Sequence, residues 1–229
     1  MLALHRMRSQ LVKFRTAQLN NLRGLLAEYG EVFRTGRAAF YKEFPAVLER
    51  LNARLPSALV EILRVQFSEL ARFDERILRI ERAIFAWKKA DAAVQVVSEI
   101  PGVGMLTATA AVAAMGDAKA FRSGREFAAW VGLVPKHVGT GGKSRMQGIS
   151  KRGDVYLRAL LVHGARGVLA RAKQHGKKGS PWIEGLKQRR PHNVAVVAMA
   201  NKTARTIWAL LAHGRRYEKG HVSIAPQST

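Results

Sequence analysis

The 229-residue sequence contains no cysteine, few acidic residues and no long apolar run. Without cysteine, neither disulfide bonds nor thiolate metal sites can form. No stretch approaches the roughly 18 apolar residues that span a bilayer, and the charges in MLALHRMRSQLVKFR do not suit a secretory signal. These absences predict a soluble cytoplasmic protein that makes no membrane contact.

Acidic residues are scarcest in the second half of the chain. Overall, 39 Lys and Arg stand against 16 Asp and Glu, a net charge of +23. Residues 100–229 hold 22 of the bases and five of the acids, a net of +17, whereas residues 1–99 carry a net of +6. Such a field favours a polyanionic partner, because each neutralised phosphate releases counterions. The sequence therefore predicts nucleic-acid binding; a merely solubilising basic surface is the alternative.

Helical periodicity dominates the chain, which predicts a mainly α fold. Residues 1–90 are predicted to form a long helical linker or coiled-coil region: a helix from Leu4, an irregular connection through EYGEVFRTGRAAFYKEFP, and a second helix N-capped by Ser57. This second helix packs either on its own chain or on a second copy. Its apolar residues have the spacing of a helical hairpin or coiled coil: Leu63, Leu70, Phe73, Ile77, Ile80, Ile84 and Trp87.

Residues 91–229 are predicted to form a compact helical domain with a helix-hairpin-helix motif at 96–115. Any strands are expected as short pieces near 128–150. A polar break, KQHGKKGSPW, separates the last two predicted helices, which run from 154 to 172 with Asp154 as N-cap and from 192 to 212 after Pro191.

The segment IPGVGMLTA, residues 100–108, carries the first functional pattern. Gly102 and Gly104 allow a tight turn that exposes backbone N–H groups at the start of the next helix, and such donors suit a DNA phosphate. Followed by Thr107 and Ala108, the pattern resembles the helix-hairpin-helix motif, which contacts DNA backbone rather than bases. An ordinary turn between helices is the alternative.

A second pattern is GLVPKHVGTGGKSRMQGISKRGD, residues 132–154. A phosphate-binding P-loop would need a glycine where His137 stands, so a nucleotide cradle is excluded. We expect a flexible basic loop that places hydroxyls among cations, as attack on a phosphodiester requires; a DNA-gripping loop without chemistry is the alternative. The hydroxyls are Thr140, Ser144 and Ser150, and the cations are Lys143, Arg145, Lys151 and Arg152, with Arg158 following.

Carboxylates do not cluster in the sequence of the second half. Asp117, Glu126 and Asp154 are isolated, and the histidines lack the spacing of metal ligands. The sequence therefore predicts no metal site within this chain.

The block from Ile100 to Leu169 strongly resembles the C-terminal domain of the DEDD insertion-sequence transposases, bacterial enzymes understood as bridge-RNA-guided recombinases. PHNVAVVAMANKTARTIWALL resembles the terminal helix of that family, and LALHRMRSQLVKFRTAQLNNLRGLLAEYGEVF its linker helix. The resemblance implies DNA transposition by a two-part active site. An N-terminal RNase H-like domain supplies four metal-binding acids, the C-terminal domain supplies a serine that attacks DNA, and a guide RNA pairs with both DNAs.

Two departures from the family shape the expectation. Met1 already falls in the linker helix, so the acidic domain and its divalent metal are expected outside this chain. The family serine matches Gly139 or Thr140 here, which makes Thr140 the candidate nucleophile. We expect a truncated or split transposase of the bacterial nucleoid that binds DNA and guide RNA, as a homo-oligomer or with full-length transposase. It would not recombine DNA alone. The alternative is a non-catalytic helix-hairpin-helix module or a regulator of full-length transposase.

Overall fold

The computed structural model describes residues 1–140, 143–174 and 181–219, and across these residues the fold is mainly α, as predicted. No helix among them is long and apolar enough to cross a membrane. The elements are α1 (Leu2–Glu28), α2 (Arg37–Asn52), α3 (Ser57–Ala90), α4 (Ala92–Ser98), α5 (Met105–Met115), a 3-10 turn (Ala118–Ala120), α6 (Gly124–Val131), β1 (Pro135–Thr140), β2 (Lys143–Ile149), α7 (Val155–Gln174), α8 (Pro181–Arg189) and α9 (His192–His213).

Two compact units divide the chain, one spanning Leu2–Ala83 and the other running from Ile84 onward. The division falls within α3, whereas the sequence placed a domain boundary after residue 90, at the end of that helix. A continuous helix carries no composition change at such a point, so the sequence gives no signal for it.

In the Leu2–Ala83 unit, α1 and α3 run antiparallel. Arg8 Nη2 lies 2.7 Å from Glu81 Oε1, and Arg15 Nη1 lies 2.5 Å from Asp74 Oδ1. Leu63, Leu70 and Ile77, seven residues apart, are buried as the periodicity predicts. The helix thus packs on its own chain, which is one of the two alternatives that the spacing allowed.

The predicted irregular connection between the first two helices is wrong over its second half, which forms α2. Its buried residues Phe40, Phe44, Val47, Leu48 and Leu51 make one helical face, and this burial outweighs the Pro45 within the helix. The phenyl rings of Phe44 and Phe67 stack with centroids 4.1 Å apart. The predicted cap is wrong by one residue: the Pro56 carbonyl accepts the Val60 N–H, so Ser57 is the first helical residue.

A carboxylate network ties the three helices of this unit together. Asp74 on α3 accepts hydrogen bonds from Arg15 on α1 (2.5 Å) and from Arg37 and Tyr41 on α2 (2.7 Å each). Burial alone raises the pKa of Asp74, but the hydrogen bonds from Tyr41 and Arg15 and the charge of Arg37 outweigh it, so the pKa lies below its ordinary value. Burial, with the bond to Asp74, raises the pKa of Tyr41, which keeps its hydroxyl a donor.

Replacing Asp74→Asn should lower the free energy of unfolding by about 1–2 kcal/mol at pH 7, since charged acceptors make the stronger hydrogen bonds. A lowered folded-state pKa means that this contribution is complete above the unfolded-state pKa, near 4, and is lost as pH falls through the folded-state value. Urea denaturation of both proteins from pH 7 to pH 2 measures it. Glu75→Gln, in an exposed ion pair with Arg79, is the control and should change little. A difference between Asp74→Asn and the parent that stays constant down to pH 2 contradicts the assignment.

The second unit is built around α5, α6, α7 and α9, whose small and apolar side chains form one core. Asp154 caps α7 as predicted, because its Oδ1 accepts the Leu157 N–H at 2.8 Å. Pro191 precedes α9, also as predicted. The sequence did not predict α8, and most of the predicted polar break (175–180) lies outside the described residues.

Candidate nucleic-acid interface

The IPGVGMLTA segment forms a turn between two helices. Asp91 caps α4 through the Val94 N–H, and the Val103 N–H then donates to the Ile100 carbonyl across the turn at 2.9 Å. Gly102 has φ +85°, a conformation that favours glycine. Gly104 is exposed and precedes α5 without any side-chain cap. The first N–H groups of α5 therefore have no acceptor within the helix or from a capping side chain.

Gly102 also serves packing, because the turn crosses α7 at backbone distance. A Cβ added at Gly102 would lie 2.8 Å from the Gly164 carbonyl oxygen, and one added at Gly164 would lie 2.0 Å from the Gly102 oxygen. Neither glycine has room for a methyl group. The crossing thus fixes where the turn presents its amides.

Thr107 is buried. Its exposed fraction is 6%, and its neighbours Ala108, Ala110 and Ala111 in α5 are buried as well. Contact between the Thr107 hydroxyl and DNA stays a prediction, and it would require this side chain to become more exposed. Because α5 is apolar on every face, the sequence offered no pattern that separates an inward from an outward threonine.

The predicted flexible loop is instead largely an antiparallel β-hairpin. In its register Val138 pairs with Arg145, Gly139 with Ser144 and Thr140 with Lys143. The glycines at 141 and 142 that join the strands lie outside the described residues. The candidate nucleophile Thr140 and the cations Lys143 and Arg145 thus belong to a short ribbon, and the expectation of short strands in this region is met.

The basic segment after the hairpin is held against the end of α6 by backbone contacts. The Ser150 N–H donates to Val134 O at 2.8 Å and the Lys151 N–H to Gly132 O at 3.2 Å. A Cβ added at Gly132 would lie 2.1 Å from Arg152 O, and one added at Gly153 would lie 1.8 Å from Trp130 O. Lys151 and Arg152 are both exposed. Two cations are therefore presented to solvent from a backbone with little freedom to shift.

Arg158 has a structural contact that the sequence did not predict. Its guanidinium Nη1 donates to the Val131 carbonyl at 2.9 Å, which satisfies a C-terminal carbonyl of α6, and the side chain is half-buried. This contact joins α7 to α6, and the role of Arg158 on an anionic path stays a prediction.

Four acids of the second unit have hydrogen-bonding or ion-pair partners of their own. Asp117 and Glu126 accept the N–H groups of Lys119 (2.8 Å) and Arg122 (2.7 Å), Asp154 caps α7, and Glu184 lies 3.1 Å from Lys187 Nζ. No group of three or more His, Asp or Glu residues suited to a metal occurs within the described ranges.

The sequence did not predict two residues of α9 whose side chains hydrogen-bond to backbone on either side of α6. Asn201 Nδ2 donates to Leu133 O at 3.2 Å, and Trp208 Nε1 donates to Ala118 O at 3.0 Å. Both bonds link residues far apart in sequence, which no local spacing predicts. Also missed was Trp130 on α6, which is 41% exposed.

Comparisons with known proteins point to one family. The sequence model of the transposase IS116/IS110/IS902 family matches residues 94–179, from α4 to just beyond α7. The chain is 47% identical over 219 residues to a "Probable family 20 transposase" of Pseudomonas aeruginosa, covering 95% of this chain and 65% of that protein. It is 43% identical over 218 residues to the "Transposase for insertion sequence element IS1111A" of Coxiella burnetii, covering 95% of this chain and 60% of that protein. Residues 94–179 thus match the IS116/IS110/IS902 transposase family, and nearly the whole chain is similar to proteins named as transposases.

A third relative, the "Transposase for insertion sequence element IS1328" of Yersinia enterocolitica, is 37% identical over 219 residues, or 96% of this chain. This chain spans 60–65% of the length of the three transposases. The matched family region contains the turn before α5, the hairpin and the segment of Lys151 and Arg152. The close contacts at Gly102, Gly132, Gly153 and Gly164 all lie inside this matched region.

The crossing of Gly102 and Gly164 is testable within one helix. Gly164→Ala should lower the free energy of unfolding by about 1–3 kcal/mol, because backbone must move to admit the methyl group. Gly167→Ala, three residues along α7 with nothing within 4 Å of an added Cβ, should raise it by about 0.5–1 kcal/mol. Chemical denaturation of the two variants measures both. Equal effects of the same sign would disprove the close crossing.

Proposed function

We propose that this chain is the nucleic-acid-binding and hydroxyl-bearing part of an insertion-sequence transposase. The observation that carries the proposal is 47% identity, over 95% of the chain, to a protein named as a transposase. Because this chain spans less than two thirds of that relative's length, the chemistry of transposition is proposed for the assembled enzyme rather than for this chain alone.

The basic surface supports binding to DNA backbone. Lys151 and Arg152 are exposed on a segment pinned by backbone hydrogen bonds, and α5 begins with uncapped amides next to exposed Gly104. Fixed cations and helix N-terminal amides are the groups that contact phosphates without reading bases. The tight turn that joins α4 to α5 supports assigning this segment to the helix-hairpin-helix motif.

A divalent metal would be bound by acids that this chain does not supply, as in the DEDD transposases that the sequence resembles. The partners of Asp117, Glu126 and Asp154 support this division, because a helix-capping carboxylate is already engaged by backbone amides. In the complete enzyme, a guide RNA would select the donor and target DNA. The basic second unit would then hold nucleic acid close to the nucleophile.

Thr140 is the proposed nucleophile. Its oxygen would attack a DNA phosphorus, form a phosphoester with the protein and release a DNA hydroxyl end, while cations stabilise the charge that develops. The pairing of Thr140 with Lys143 across the hairpin supports this role. Ser144, which pairs with Gly139, is the other hydroxyl of the hairpin.

Assembly into a homo-oligomer, or with a full-length transposase, would bring donor and target DNA together. Exposed apolar side chains on α1 and α3, such as Met7, Phe14 and Leu78, support an association through this helical pair. Sedimentation of the purified chain decides between a monomer and a larger species.

DNA binding can be tested with the double variant Lys151→Ala/Arg152→Ala. Affinity should fall by a similar factor for duplexes of unrelated sequence, because phosphate contacts carry no sequence information. The slope of log K against log salt should become shallower by about 2, one unit for each lost contact. Fluorescence anisotropy at several salt concentrations measures both.

The matched control for this experiment is Arg72→Ala/Arg79→Ala on α3, whose guanidinium groups already pair with Glu69 and Glu75. It should leave the affinity and the salt slope near those of the parent. If the parent chain has no affinity for DNA or RNA in dilute buffer, the proposed function is wrong.

If the metal-binding acids lie outside this chain, the purified chain supplied with DNA, RNA and Mg²⁺ should not recombine DNA. With the N-terminal part of the Pseudomonas aeruginosa relative added, a nicked suicide substrate should trap a covalent protein–DNA adduct on denaturing gels. Thr140→Ala should abolish this adduct and Ser144→Ala should retain it. Recombination by the chain alone contradicts the division, and loss of the adduct in Ser144→Ala instead moves the nucleophile to that residue. Binding without any adduct favours the non-catalytic module.

A further inference from the structure

Trp130 stands out among the four tryptophans of the chain. Its side chain is 41% exposed, whereas Trp87, Trp182 and Trp208 are half-buried against the core. Removing a tryptophan from water gives a large free-energy gain, so an exposed one on a well-packed helix leaves a large part of that gain unused. Contact of the indole with a binding partner would recover this free energy.

The indole of Trp130 is held in place before any partner arrives. Its ring stacks on that of Phe127, which is fully buried, with centroids 5.9 Å apart and an interplanar angle of 16°. Phe121 meets the same indole edge-on at 5.8 Å. The backbone of Trp130 is equally fixed, because its carbonyl oxygen lies against Gly153. A preorganised aromatic ring loses little conformational entropy on binding.

Exposed cations belong to the segments next to this position, along the chain and across a backbone contact. Arg122 and Arg125, at the start of α6, are exposed, and Lys151 and Arg152 belong to the segment whose backbone touches residues 130–132. The acid of this helix, Glu126, accepts the Arg122 N–H through Oε2, while its own N–H donates to Ser123 Oγ. The cores of protein–protein interfaces are depleted in charged residues, whereas aromatic rings among Lys and Arg are characteristic of single-strand nucleic-acid sites.

We infer that Trp130 stacks on a base of an unpaired nucleic-acid strand whose phosphates are held by Lys151 and Arg152. The strand must be unpaired at that point because the faces of a duplex base are covered by its neighbours, while a single-stranded base offers one to an aromatic ring. The inference rests on the proposed function, to which it adds a ligand class: an unpaired strand, of DNA or RNA, rather than duplex alone.

Anisotropy titrations of a labelled single-stranded 12-mer and of its duplex, each at several salt concentrations, test this inference. Trp130→Ala should weaken single-strand binding by at least about fivefold, the usual lower range for loss of one base–aromatic stack. Duplex binding should change less than twofold, and the salt slope should stay the same. Trp130→Phe, which keeps a π face, should recover most of the loss. Tyr29→Ala, 37% exposed just after α1, is the matched aromatic control and should bind as the parent does.

A fully abasic strand separates stacking from phosphate contact. It should bind the parent chain as weakly as the natural strand binds Trp130→Ala, and Trp130→Ala should not discriminate between the two strands. If Trp130→Ala lowers the melting temperature, Trp130→Leu replaces it, because leucine keeps apolar bulk without a π face.

Each outcome separates this inference from the proposed function. A parent that binds neither strand nor duplex overturns the proposed function. A parent that binds both, with Trp130→Ala equal to it on the single strand, overturns the stacking inference alone. Unchanged nucleic-acid binding with a shift in sedimentation of Trp130→Ala also overturns it, and assigns the indole to a contact between protein chains.

Discussion

Close backbone approach at glycine is the constraint on which the second unit depends. At Gly102 and Gly164, at Gly132 and at Gly153, any Cβ would lie within 3 Å of another residue's atoms. These contacts bring the turn before α5 onto α7 and the segment of Lys151 and Arg152 onto the end of α6. Because main chain rather than long side chains sets these positions, the backbone that carries Lys151 and Arg152 has little freedom to shift.

The distribution of acids follows the same logic. Asp117, Glu126 and Asp154 each hold the start of a helical segment, where a carboxylate satisfies amides and interacts well with the helix dipole. The acids thereby stabilise the scaffold, while cations such as Lys151 and Arg152 remain exposed.

Phosphate contact and base contact make different demands, and the structure separates them. Exposed Lys151 and Arg152 suit any phosphate backbone, whereas Trp130, stacked on Phe127, has a shape that suits a flat base. Both kinds of group belong to the end of α6 and to the segment packed against it, which is compatible with the proposed path of one strand.

Local patterns in the sequence were sufficient for the mainly α class, the heptad burial of Leu63, Leu70 and Ile77, the Asp154 cap and the charge asymmetry, because each depends on neighbours along the chain. Tertiary packing decided the rest. It buried Thr107, turned part of a predicted connection into α2, joined Arg158 to Val131 and left Trp130 exposed. Each of these outcomes depends on residues far away in the sequence, which spacing and composition do not encode.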